Sequence, residues 1–287
     1  MMRILKHILP ALALLAMPAM SRAQYFICDS IMPQRIVVKS SQYGVTLFNN
    51  LDTYLSGYSF TGLGIHYNQE NYRDAITRGY RWKYQRLFNA DIGYGIQQYN
   101  LQYCGLADYS WSGYHSFEVH PQLQLLAGAQ IQLEGGALYV PGNGNSPVAA
   151  KLRTAIAASG MAIYRFKVLK SEWIARYQID IPIAGVMFTP QYGQSYYEIF
   201  GLGHCKGIVS FSYPGNTPSW RHFMTLDIPL KCRRRSTTLR IGYNANLFQS
   251  DVNEIRCHIY RHSFTVGFAK TLFKVKKEDI LNSYSPY

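Results

Sequence analysis

The sequence predicts an all-β fold, an antiparallel transmembrane β-barrel of 10 or 12 strands behind a cleaved N-terminal signal peptide. Three features point there: an export leader, a hydrophobic period of two that recurs along the chain, and connections that alternate between short and long.

The leader comes first. Arg3 and Lys6 precede an apolar stretch from Ile8 to Ala19, and Ser21-Arg22-Ala23 then offers a small-x-small cleavage site before Gln24. These are the parts of a secretory signal peptide, so residues 1–23 read as the leader and 24–287 as the outer-membrane barrel domain. The apolar stretch is too short for a membrane-spanning helix, which needs roughly 20 residues. Downstream of Ala23 no run reaches that length; Ile181 to Phe188 contains Pro182 and stops. Cys28 lacks the small preceding residue expected of a lipidated cysteine.

In a strand, successive side chains point to opposite faces. From 122 to 134, Leu123, Leu125, Ala127, Ala129, Ile131 and Leu133 share one face. Gln122, Gln124, Gly128, Gln130, Gln132 and Glu134 share the other, with Leu126 the exception. Phe88, Ala90, Ile92, Tyr94 and Ile96 likewise oppose Asn89, Asp91 and Gln97, and Trp173 to Ile181 oppose Arg176, Gln178 and Asp180. Met224 to Leu230 oppose Thr225 and Asp227; Leu239, Ile241, Tyr243 and Leu247 oppose Arg240, Asn244 and Asn246. A soluble sandwich would alternate in the same way. Segment length favours the membrane barrel, because several runs reach the roughly 9–11 residues of a tilted membrane strand.

Strands are expected near 36–48, 56–67, 80–97, 109–119, 122–134, 156–168, 172–184, 221–231, 237–249 and 257–273. With both termini periplasmic, the turns at His120-Pro121, Leu169 to Ser171 and Cys232 to Ser236 fall inside, and the long connections 135–155 and 185–220 fall outside. That asymmetry marks outer-membrane barrels. The connection 68–79 is long for an inner turn, and Ile208 to Tyr213 looks strand-like, which would raise the count to twelve.

Composition agrees. Only 16% of residues are charged, while 24 Tyr, 14 Phe and 4 Trp supply the aromatic girdles of a membrane barrel. The net charge of +13 suits anionic partners, here outer-membrane lipid including lipopolysaccharide. Nucleic acid is excluded by export and by the absence of a helix-turn-helix, zinc-finger or aromatic RNA-binding motif. Arg233, Arg234 and Arg235 read as a solvated turn. No phosphate-binding glycine loop, nucleophile elbow or His-Glu-x-x-His signature occurs, so neither cofactor nor metal is expected. Protein partners are not specified by the sequence.

YVPGNGNSPVAAK (Tyr139 to Lys151) and PIAGVMFTPQYGQSYYEIFGLG (Pro182 to Gly203) resemble an uncharacterised outer-membrane β-barrel family of Gram-negative bacteria, a domain of unknown function with a PQYGQSYYEIF-type motif. The resemblance continues through Pro218 to Leu230 and Arg240 to Asn253. It implies a barrel in the cell outer membrane and carries no activity.

Two groups of residues are candidates for function. The lumen-facing set is Asp91, Gln122, Gln124, Gln130, Gln132, Glu134, Arg176, Asp180, Arg240, Asn244 and Asn246, which would line a hydrophilic channel or hydrogen-bond across a closed interior. The loop set is Gln191, Tyr192, Gln194, Tyr196, Tyr197 and Glu198 in the long outer connection. Ser195-Tyr196-Tyr197-Glu198 fits a capping box opening a short helix. The loop would hold a conformation, as an inward-folded plug, or offer tyrosine faces and amides to a sugar.

An enzyme has one candidate constellation. Ser116, Glu118 and His120 share a strand face and supply a nucleophile, a carboxylate and a base, though any wet strand face gathers polar residues. Five cysteines, an odd number, enter an oxidising compartment: Cys28 and Cys232 on the inner side, Cys104, Cys205 and Cys257 near the outer side, bridged or free. The expected function is a non-enzymatic outer-membrane barrel, either a small channel for hydrophilic solutes or a structural or interaction barrel. The alternatives are a barrel lipid hydrolase using Ser116 and His120 and a soluble periplasmic ligand-binding β-protein.

Overall fold

The computed structural model describes residues 35–75, 82–144, 146–169, 171–232 and 235–274. The leader, Cys28, Arg233, Arg234 and the side chains of Cys232 and Arg235 lie outside them. The strands are β1 Arg35–Asp52, β2 Ser56–Ala75, β3 Trp82–Gln97, β4 Asn100–His120, β5 Leu123–Tyr139, β6 Val148–Val168 and β7 Ser171–Phe188. After the helix α1 Tyr196–Phe200 come β8 Val209–Ser212, β9 Ser219–Cys232, β10 Arg235–Val252 and β11 Ile255–Lys274.

All pairings are antiparallel, and the sheet closes where β1 meets β11 and β6 meets β7. Residues 185–188 of β7 pair with β8 and residues 174–180 pair with β9. These two are therefore one barrel strand interrupted by an excursion at 213–218. The closed barrel has ten strand positions, so the strand-like segment at Ile208 to Tyr213 does form but adds no hairpin.

The strands run longer than the alternation predicts. Residues 100–108 extend β4, residues 135–139 and 148–155 extend β5 and β6, and 68–75 extend β2. The connection expected at 135–155 shrinks to 140–147. These extensions were hidden because short residues and polar residues on both faces, as in Gly135-Gly136 and Asn68 to Asn71, blur a period of two.

Following the register from Phe48 through Arg261, Asn246, Arg221, Asp180, Ser159, Gly128, Tyr114, Lys83 and Asp74 returns to β1 at Ile36, a stagger of 12 residues. Such a stagger tilts the strands by roughly 40°. Tight turns need few residues here: Asn253 and Glu254, at φ 56° and 64°, take the left-handed pair of a two-residue hairpin.

The outward face is apolar. Ile65 is 66% exposed, Ile92 64%, Ile156 58% and Val266 54% in the isolated chain, so this belt is left for lipid to cover. Rings flank it: Trp82, Phe117 and Tyr164 toward the end that carries the termini, Tyr94, Tyr103 and Tyr139 toward the opposite, loop end. Among the described residues no helix is long and apolar enough to cross a membrane.

Inside, the filling is layered. Phe48, Leu55, Phe60, Leu106, Leu138 and Phe248 pack together toward the loop end, and Tyr114, Leu126, Met161 and Ile163 toward the terminal end. Leu126, the exception to alternation, belongs to this inner cluster. Phe48 lies over Gly64 and Gly93, where an added Cβ would stand 2.5 Å from its ring; the ring covers backbone that glycines leave open.

Candidate functional site

Between the two apolar clusters the inward positions are polar and charged. Arg221 on β9 reaches across the lumen to Asp108 on β4 at 3.0 Å and pairs with its ladder neighbour Asp180 on β7 at 2.7 Å. Arg261 on β11 joins the same Asp108, at 3.2 Å, to Asp91 on β3, at 2.8 Å. His66 Nδ1 lies 2.6 Å from the second oxygen of Asp91. Lower down, Glu70 on β2 lies 2.7 Å from Arg176 and 2.5 Å from Arg240, and Arg240 also makes a bidentate pair with Asp227. Arg153 on β6 grips Glu134 with two hydrogen bonds while lying over the Phe248 ring at 4.7 Å.

Amides and hydroxyls complete the network. Tyr114 donates to Gln85 at 2.9 Å and meets Ser159, which donates to Asp180. Gln85 in turn donates to Glu70 and Gln178. Gln42, Asn68 and Asn89 form a chain ending on Asp108. With its amide turned so that the oxygen accepts from Arg221 and Ser110, Gln130 donates to Asp180.

Five guanidiniums and six carboxylates thus pair with one another in a space where Glu70, Asp91, Asp180, Gln85 and Gln178 are at most 1% exposed. Charges so desolvated demand partners, and a missing partner would be costly. Beside Glu134, Lys151, Arg153 and Arg261 a cavity of about 40 Å³ has room for a few water molecules.

The loop end is built differently. The connection 189–218 carries α1, whose capping box forms: Glu198 N–H donates to Ser195 Oγ at 3.2 Å and Ser195 N–H to the Glu198 carboxylate at 2.7 Å. Tyr196 accepts from Ala150 N–H at 2.7 Å, and its ring stacks with Phe188 and Phe200 and meets Tyr54 edge-on. Tyr54 donates to Gln194 O, and Asn253 donates to Thr189 O and Gly207 O. The loop is pinned to the β1–β2, β5–β6 and β10–β11 hairpins. Beside it, Leu55, Ser56, Phe60, Asn100, Asn143 and Gly144 line an open cleft of about 400 Å³.

The hydrogen bonds from Ser195 N–H and Oγ hold the Glu198 carboxyl below its ordinary value of 4.5. A lowered carboxyl favours the folded loop above the ordinary value and loses that contribution as pH falls through the lowered one. The α1 cap is therefore expected to stay closed at mildly acidic pH and to open only below 4.5. Amide chemical shifts of Ser195 and Glu198 followed over pH will check it; loss of the cap near neutral pH would contradict it.

A family model matches residues 8–279, almost the whole chain. The chain belongs to the DUF3316 family, described as proteins of unknown function. No curated protein is significantly similar in sequence. Among solved structures, the outer membrane protease OmpT from Escherichia coli is 9% identical, with 85% of this chain and 98% of that one covered and a TM-score of 0.43. The translocator domain of autotransporter NalP from Neisseria meningitidis is 10% identical over 84% of this chain and 89% of that one, at 0.40. The beta domain of the Bordetella autotransporter BrkA is 11% identical over 81% and 98%, at 0.37.

Of the residues singled out in the sequence of this DUF3316 member, Asp91, Gln124, Gln130, Gln132, Glu134, Arg176, Asp180, Arg240, Asn244 and Asn246 point into the lumen. Gln122 instead lies exposed in the β4–β5 turn, where its N–H donates to His120 Nδ1. In the loop set, Tyr196 is half-buried and packs within the loop end against Phe188, Phe200 and Tyr54. Gln191 and Gln194 bond the loop's own backbone, while Tyr192 and Tyr197 are 62% and 70% exposed.

Ser116 accepts from Gln124, Glu118 and His120 are exposed, and the pairing slips between Glu118 and His120. The slip breaks the common face that a triad would need. Cys104, Cys205 and Cys257 are free thiols. Among the described residues no cluster of His, Cys, Asp or Glu is arranged to hold a metal.

Sequence reasoning missed Glu70, Asp108, Arg153, Arg221 and Arg261. The signal that could have found Arg221 was its parity with Thr225 and Asp227, which Phe223 masks by putting an aromatic ring on the wet face.

Proposed function

We propose that this protein is a non-conducting, non-enzymatic barrel of the cell outer membrane, a rigid scaffold that presents its loop end to the exterior as an interaction surface. One observation carries the reading: the lumen is occupied by a network of paired arginines and carboxylates, with a cluster of apolar side chains toward each end. A solute path would need these ion pairs to part, and each unpaired buried charge costs about 3–5 kcal/mol. The scaffold reading takes one of the two alternatives the sequence leaves open, the structural or interaction barrel, over the small channel. Periplasmic termini fit the placing of the two longest described connections, 140–147 and 189–218, at the loop end. The open cleft lined by Ser56, Asn100 and Asn143 suits a small hydrophilic ligand such as a sugar.

Planar-bilayer recording tests the reading directly. Purified protein, recovered in the outer-membrane fraction and shifting in gel mobility on heating, is expected to insert without stepwise conductance. Steady unitary currents would refute the scaffold and restore the channel. Recovery in the soluble periplasm would refute both.

A further inference from the structure

The apolar belt is broken on one side. Near the start of β1 and the end of β11, Lys39 stands directly opposite Lys270; Lys39 is also opposite Asn71 on β2, and Asn71 opposite Arg86 on β3. All four take outward positions, by the same parity that exposes Tyr43, Ile65, Tyr84 and Phe268. Arg73, the next outward residue of β2, donates to Asn71 at 3.5 Å and adds a fourth cation. Lys39, Arg86 and Lys270 are exposed, and the four cations make no ion pair among the described residues. Followed further along the register, the row becomes apolar at Trp111, Ile131 and Ile156.

Two like charges directly opposite on neighbouring strands destabilise a sheet. Inside the lumen this chain neutralises each arginine, yet here it places two lysines face to face and adds two arginines within roughly 15 Å, three strand spacings. An anion from outside the chain would resolve the repulsion. Immediately toward the loop end, Tyr43 meets Tyr67 at 5.0 Å and Tyr67 meets Phe88 at 6.3 Å. This ring surface continues into Val45 and Ile65 and suits an acyl chain.

We propose that Lys39, Arg73, Arg86 and Lys270 form a headgroup site for an anionic glycerophospholipid of the inner leaflet, its phosphate over the cations and its chains along Tyr43, Tyr67 and Phe88. The leaflet assignment rests on the periplasmic placing of the termini in the scaffold reading.

The test is native mass spectrometry of the full mature barrel released from nanodiscs containing equal fractions of phosphatidylglycerol and phosphatidylcholine. The parent is expected to retain phosphatidylglycerol preferentially. Lys39→Gln, Arg86→Gln and Lys270→Gln should each lower the preference, by about fivefold per cation, the change that about 1 kcal/mol per basic residue at an anionic surface corresponds to. Lys270→Glu supplies a variant that should fold at least as well, because it turns a repulsive cross-strand pair into an attractive one. It should raise thermal stability in neutral detergent while abolishing the gain from added phosphatidylglycerol. Equal retention of both lipids by the parent, or an unchanged phosphatidylglycerol effect in Lys270→Glu, would overturn the proposal. So would retention of lipopolysaccharide in place of phosphatidylglycerol in a third nanodisc arm. Conductance measured on the same preparation would refute the scaffold without altering the lipid count, so the two can fail separately.

Discussion

Arg221→Ala is expected to cost the barrel about 3–5 kcal/mol, measured as a lower temperature for loss of the compact, heat-modifiable band and a lower denaturant midpoint in detergent. The guanidinium is shared by Asp108 and Asp180. Asp108 keeps Arg261, whereas Asp180, at 0% exposure, is left with the neutral donors Gln130, Gln178 and Ser159. The penalty is therefore that of an unpaired buried carboxylate. Combining Asp180→Asn with Arg221→Met should recover most of the loss, since buried ion pairs replaced by neutral groups of similar volume are often nearly neutral in stability. A barrel carrying Arg221→Ala that unfolds with the parent would show that the network is not what holds the lumen closed.

Phe48→Ala should be of comparable size, about 3–5 kcal/mol for deleting a buried aromatic ring. The ring is 1% exposed and belongs to the loop-end cluster with Leu55, Phe60 and Phe248. Its removal also uncovers the backbone at Gly64 and Gly93. Phe48→Leu should lose clearly less, because part of the volume and apolar area remains. Equal midpoints for Phe48→Ala and the parent in a denaturant series would contradict this account of the loop-end seal.

The barrel was legible in the sequence because its outward face must be apolar against lipid, and that requirement writes itself on every second residue. Leu123 to Leu133 and Tyr243 to Leu247 are clear instances. The lumen was legible only where it is uniformly wet. Where the interior is itself apolar, as at Leu126, Phe223 and Phe248, alternation fails locally, and the arginines beside those positions, Arg153 and Arg221, go unread. Pairing was beyond sequence altogether: Arg221 and Asp108 are far apart in the chain and meet because of the 12-residue stagger of the wall. The loop was half legible. Ser195 and Glu198 announce their capping box by spacing alone, but nothing local says that Tyr196 turns inward to Ala150 while Tyr197 turns out.

A closed barrel has no edge strands, yet its wall is not equally strong all round. Residues 181–184 of β7 face the 213–218 excursion and carry no ladder partner on that side among the described residues. Pro182 has no N–H to give, and on the other side the pairing with β6 slips between Ile156 and Ala157. The middle of β7 is thus weakened along both flanks at one height. This gives the cylinder a seam beside the longest described loop, the line along which the wall gives first. A barrel torn there parts into a seven-stranded amino-terminal sheet and a carboxy-terminal ribbon of β9 to β11, which stay joined through β1 and β11.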